Sequence, residues 1–144
     1  MIYTDEDQIS VDGKQHYEPK FKPDFNLYRL RENNYIGRFW AVRKEIMEQS
    51  GWFNPQYDGA ENFDMLLRCS EQAAQIVHIP RVLCHNMDAG QQLSQEEKQK
   101  AGEAGRKALE EHYHRVQIPA AVEQTEKPGW YRSHLAIQGE PLVS

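Results

Sequence analysis

Cysteines, long apolar runs and basic clusters are all scarce in this chain. Its two cysteines, Cys69 and Cys84, form no C-x-x-C pair and no zinc pattern. Both are expected as small core residues in a reducing compartment, Cys69 on a helix and Cys84 in a strand. No apolar run approaches the roughly 20 residues of a membrane-spanning helix. Acids follow Met1 almost at once, where a signal peptide would be apolar. The expectation is a soluble, cytoplasmic protein. The net charge of -5 and pI near 5.7 argue against a dedicated binder of nucleic acid or anionic membranes. The densest basic stretch, Arg29 to Arg31, is short and interrupted.

With 144 residues the chain has one domain's worth of length and a modest core. Its apolar fraction of 39% and mean hydropathy of -0.84 mean that much surface stays wet or is covered by other chain. No internal repeat or low-complexity tract occurs. Ile2 to Thr4 reads as a strand, and Asp12-Gly13 as the centre of a tight hairpin turn. Glu18 to Phe25, with two prolines, is loop or extended chain, after which Asp24 is placed to cap a short helix through Leu30. Tyr35 to Val42 reads as a strand, and Lys44 to Gln49 as a short helix stopped by Ser50-Gly51. Phe63, Leu66, Leu67, Ser70 and Ala74 recur at helical spacing, predicting a helix from an Asn62 cap to Ala74. Ile76 to Ile79 and Val82 to His85 read as two strands split by Pro80-Arg81. Ser94-x-x-Glu97 has capping-box form and opens a long helix to about Arg115. Gly102 and Gly105 on that helix imply close packing at a cost in propensity. Val122 to Gln124 and Tyr131 to Ile137 flank Lys127-Pro128-Gly129 as a hairpin, and Gly139 to Ser144 is loop.

Asp5-Glu6-Asp7 is the chemically densest segment. Carboxylates at the C-terminal edge of a strand lie where open α/β sheets bind ligands. Hard oxygen donors suit Mg²⁺ or Mn²⁺. An EF-hand loop is excluded, because Ile9, Ser10 and His16 stand where ligands and a glycine are needed. A second constellation is Gly59-Ala60-Glu61-Asn62-Phe63-Asp64. A carboxylate there could take a proton from a hydroxyl, or Glu61 and Asp64 could simply complement the helix dipole. His85, at the end of its strand, is either a metal ligand or a hydrogen-bonded structural residue. His16, His78, His112, His114 and His134 read as surface residues.

In order, these segments resemble a bacterial family-2 glycosyltransferase of the GT-A type. Tyr3-Thr4-Asp5-Glu6-Asp7-Gln8 resembles the family's Tyr-Ser-Asp-Glu-Asp-Lys motif. Phe21-Lys22-Pro23-Asp24-Phe25-Asn26 resembles Phe-Lys-Pro-Asp-Trp-Asn, and Asn34-Tyr35-Ile36 with Arg43-Lys44 resembles the acceptor-side strand and its basic end. Gly59 to Arg68 is similar to Gly-Ser-Gln-Asp-Tyr-Asp-Leu-x-Leu-Arg, and Ile79 to His85 to Ile-Pro-Arg-Val-Leu-Tyr-His. Ala104-Gly105-Arg106-Lys107-Ala108-Leu109, Tyr131-Arg132 and Gly139 to Ser144 fit the family's tail.

The resemblance implies an α/β fold: the C-terminal portion of a GT-A domain, with a long helix and a C-terminal β-hairpin. It divides the chain into catalytic half-domain (1–92), helix (93–118), and hairpin with linker (119–144), the N-terminal half lying upstream. It implies sugar transfer from a nucleotide-sugar donor to a hydroxyl of a carbohydrate or lipid-linked acceptor, in cell-surface polysaccharide synthesis. The setting would be cytoplasmic, including the inner face of the membrane. By resemblance, Asp5, Asp7 and His85 would hold Mg²⁺ or Mn²⁺ on the donor diphosphate. The family's base falls on Asn62, an amide that cannot serve, leaving Glu61 or Asp64 as substitutes. The other reading is a catalytically inactive remnant or interaction module using aromatic loops around Trp40, Trp52 and Phe53.

Overall fold

The computed structural model describes residues 1–87 and 94–136. The expected boundary at 92–93, Ile137 of the hairpin and the tail Gly139 to Ser144 lie outside them.

Strand β1 (Ile2–Ile9) organises a four-stranded sheet. It pairs in parallel with β4 (Val77–Met87) along its length, and antiparallel with β2 (His16–Lys20) and β3 (Trp40–Ala41). The arrangement is therefore mixed α/β. β1 runs well past Thr4, so the three acids lie inside the strand. Tyr3 to Asp7 are all buried there, which is tolerable because each acid has a polar partner. A turn forms over Ser10 to Gly13, one residue ahead of the expected one, and β2 begins at His16.

The two strands expected around Pro80 are one interrupted strand. Thr4 faces Ile79 but Asp5 faces Val82, leaving Pro80 and Arg81 outside the register. Proline lacks the N–H a ladder needs, so the strand bulges around it and then resumes. The strand expected over Tyr35 to Val42 shrinks to Trp40–Ala41. Gly37, at φ 81°, breaks extended geometry, and its carbonyl faces a helix instead.

Helix α1 (Leu27–Glu32) is capped by Asn26, whose side chain accepts from Arg29 N–H; Asp24 does not cap it. Helix α2 (Lys44–Ser50) stops at Gly51. A 3₁₀ turn (Pro55–Tyr57) leads into α3 (Glu61–Gln72), whose cap position is Ala60. Asn62 thus lies inside the first turn. Helix α4 (Gln95–Arg115) opens on the full Ser94/Glu97 capping box, and β5 (Ala120–Gln124) with β6 (Tyr131–Leu135) forms the expected hairpin. One core joins all these parts: Tyr3 from β1, Leu30, Phe63, Leu66 and Leu67, Leu109 and Tyr113, Val122 and Tyr131. Phe63 and Tyr131 stack at 5.6 Å between ring centroids. Cys69 is buried in α3, and Cys84 is partly buried in β4.

Candidate functional site

The parallel register sets Asp7 opposite His85. Asp7 Oδ1 accepts from His85 Nδ1 at 2.6 Å, and Oδ2 from His16 Nδ1 at 2.9 Å. His16 arrives from the start of β2, where it pairs with Ile9. The two imidazoles meet edge to face at 4.7 Å. Asp7 is buried, while the histidine side chains are about half exposed, at 45% and 49%. The His85 hydrogen bond holds the Asp7 carboxyl below its ordinary range; burial opposes this and the His16 bond adds to it. The carboxylate is therefore ionised at neutral pH.

Asp5 has different company. Its Oδ1 accepts from the backbone N–H of Lys22 at 2.8 Å and contacts His78 Nε2 at 2.7 Å. The His78 side chain is only 5% exposed and stacks on Tyr3 at 5.0 Å between centroids, so it does not lie on the surface. Burial pushes the Tyr3 phenol far above its ordinary value. The structure thus brings Asp7 and His85 together, adds His16, and gives Asp5 to an inner pair with His78. Sequence reading missed both histidines, because their partners come from strands far along the chain. The visible hint was that buried acids demand imidazoles or cations.

Glu6 points to another ion pair. Lys22 is buried, donating to Glu6 Oε2 at 3.0 Å and to the Ile36 carbonyl at 2.6 Å. A Cβ on Gly37 would come within 2.8 Å of Glu6 Oε2, so only glycine fits at this approach. Gly37 in turn accepts from Asn62 Nδ2 at 2.7 Å, and Asn62 Oδ1 accepts from Trp40 Nε1 at 2.8 Å. A polar chain therefore runs from the acidic strand to the start of α3.

At that helix start, Glu61 is exposed and lines a cleft of about 310 Å³ with Asn34, Arg38, Asn62 and Lys98. Asp64 does not line the cleft. It is fully buried, and both its oxygens accept from the Arg68 guanidinium. Arg68 also binds the carbonyls of Ser50, Gly51 and Trp52, anchoring the end of α2. Of the two acids expected near this position, only Glu61 meets solvent in the cleft.

Three side chains could hold a divalent ion. One donor atom from each of Asp7, His16 and His85 lies within 4.8 Å of the others. A carboxylate with two ring nitrogens is a chemically sound donor set. The residues fit the group.

No protein-family model matches the chain. Over its whole length it is 39% identical to the uncharacterized protein y4gI of Sinorhizobium fredii, and 34% identical to the O-antigen biosynthesis protein RfbC of Myxococcus xanthus. It spans 16% of the first relative's length and 11% of the second's. The chain is thus similar to a short stretch of much larger proteins, one of them named for O-antigen biosynthesis.

Proposed function

We propose that the chain is the metal-and-acceptor part of a glycosyltransferase working in polysaccharide synthesis. The observation that carries this is the Asp7–His85 contact at 2.6 Å, with His16 on the other carboxylate oxygen. The similarity to an O-antigen biosynthesis protein agrees with it. The GT-A fold, the nucleotide-sugar donor and a carbohydrate or lipid-linked acceptor belong to the same reading.

Asp7, His85 and His16 would hold Mn²⁺ or Mg²⁺. When bound, the ion supplies positive charge to the diphosphate of a nucleotide-sugar, favouring departure of the leaving group. Imidazole nitrogens favour Mn²⁺ of the two, since Mg²⁺ prefers oxygen donors. Asp5 orients the site from behind through Lys22 N–H and His78. Glu61 is the group that takes a proton from the acceptor hydroxyl, being exposed in the cleft. Asp64 holds Arg68 and the α2 end in place.

A second reading is a non-catalytic interaction module. Trp52 at 63% and Phe53 at 53% exposure favour it, as does an amide at position 62.

Calorimetric titration with UDP of the chain joined to the upstream half that this reading requires, with and without Mn²⁺, tests the first reading. Mn²⁺-dependent binding that Asp7→Ala abolishes is expected. Metal-independent binding, or none, would overturn it and leave the module reading.

A further inference from the structure

The chain carries a net charge of -5, yet its clefts beside the acidic strand collect cations. A cleft of about 610 Å³ is lined by Lys20, Lys22, Arg29 and Lys127 together with Phe21 and Trp130. It shares Asn34, Pro128 and Gly129 with the Glu61 cleft, which adds Arg38 and Lys98. Six cations therefore line the two adjoining clefts against two carboxylates, Glu6 and Glu61. Glu6 is already neutralised by Lys22 at 3.0 Å, with Lys20 at 3.6 Å. Among the described residues Arg29, Arg38, Lys98 and Lys127 have no carboxylate partner.

These four come from α1, the loop before β3, α4 and the β5–β6 turn, so no linear basic motif announces them. Lys127 sits over the Trp130 ring at 4.1 Å and Arg29 over Tyr35 at 5.7 Å. Both are thereby held by their stems and rings while their charge stays in water. Phe21, 75% exposed, and Trp130 add aromatic surface suited to the apolar faces of sugar rings.

We propose that this groove binds an anionic polysaccharide, a chain of uronate-type sugars, running past Asn34 toward Glu61. Unpaired cations lining a cleft attract an extended polyanion, and rings between them seat its sugars. An acidic exterior elsewhere confines that attraction to the groove. Naming this ligand the acceptor rests on the transferase reading; the binding does not.

Calorimetry of the 144-residue chain with polygalacturonate, and with neutral dextran as comparison, tests the proposal. Polygalacturonate is expected to bind, dextran not, and the affinity to fall between low salt and about 0.5 M salt. Arg38→Glu with Lys127→Glu should lower the affinity on the order of tenfold. Lys14→Glu with Lys107→Glu makes the same change of charge outside the groove and should leave it unchanged. All four positions are exposed, circular dichroism checks folding, and Lys98→Glu offers an independent groove position. Equal binding of dextran, or equal losses from both double variants, would overturn the proposal. Loss of Mn²⁺-dependent UDP binding with polygalacturonate binding intact would defeat the transferase reading alone.

Discussion

The side-chain amide of Asn62 donates to the carbonyl oxygen of Gly37 at 2.7 Å. Its oxygen meanwhile accepts from Trp40 Nε1, so both ends of the amide are used. A carboxylate in the same place would keep the Trp40 bond but set a negative oxygen against the Gly37 carbonyl. Asn62→Asp should therefore cost about 1–3 kcal/mol at neutral pH, read from urea unfolding. Its folded pKa would rise above the ordinary ~3.9. The protonated acid can donate to Gly37 again, so the deficit should shrink as pH falls through that raised value and return as pH rises. A deficit independent of pH would mean that the Gly37 contact is not its cause. The same variant bears on catalysis, because a large gain of turnover would mark position 62 as the place of the proton acceptor.

The Asp7 cluster makes a prediction about which ion is held and by what. If His16 and His85 are both ligands, His16→Ala should weaken Mn²⁺ binding at least about tenfold. His78→Ala, altering the inner partner of Asp5, should do less. Electron paramagnetic resonance of free Mn²⁺ reads this directly, and excess Mg²⁺ should compete poorly. Unchanged affinity in His16→Ala would reduce the site to Asp7 and His85.

The helical parts were legible because their signals are local. The capping box at Ser94, the apolar spacing along α3 and the Lys127-Pro128-Gly129 turn each depend on residues within a few positions. The strands were harder. β1 was read to end at Thr4, with the three acids at its C-terminal rim. In the fold they are buried, with partners 9 to 78 residues away. His78 was read as a surface residue for the same reason, and His16, exposed as read, was given no partner: an imidazole's role is fixed by what the opposite strand presents. Resemblance grouped Asp7 and His85 around one ion, and the parallel register sets the two side by side. Asn62 was displaced from cap to first turn because the helix starts two residues earlier than its apolar spacing implies, with Ala60 at the cap.

His112 was also read as a surface residue, and it is 1% exposed. Its Nδ1 meets Glu71 Oε1 at 2.7 Å and its Nε2 accepts from Arg31 Nε at 3.0 Å, while Arg115 binds both Glu71 oxygens. The network ties α1, α3 and α4 together. Burial pushes the Glu71 carboxyl up, but the His112 and Arg115 bonds outweigh it and hold the acid below its ordinary 4.5. A lowered folded pKa means the contribution is complete above 4.5 and is lost as pH falls through the folded value. Glu71→Ala should cost about 3 kcal/mol at neutral pH, since it strands a guanidinium and a buried imidazole. Chemical denaturation from pH 7 to pH 3 should show the gap between parent and variant closing at the acid end. A constant gap would assign the loss to packing.

Gly105 gives the sharpest test of the packing between α4 and the hairpin. A Cβ placed there would lie 2.0 Å from the Tyr131 hydroxyl and 2.8 Å from its ring. Tyr131 is 5% exposed, stacked on Phe63, and its hydroxyl donates to the Gly102 carbonyl at 3.2 Å, so it has little freedom to move. Helix propensity alone would make Gly105→Ala favourable by about 1 kcal/mol. Overpacking should exceed that, for a net loss of about 1–2 kcal/mol in thermal or urea unfolding. Tyr131→Phe in the same chain removes the nearer clash but not the ring contact, so it should recover part of the loss. Stabilisation by Gly105→Ala would mean that the hairpin does not press on the helix, and the shared core through Tyr131 would be wrong.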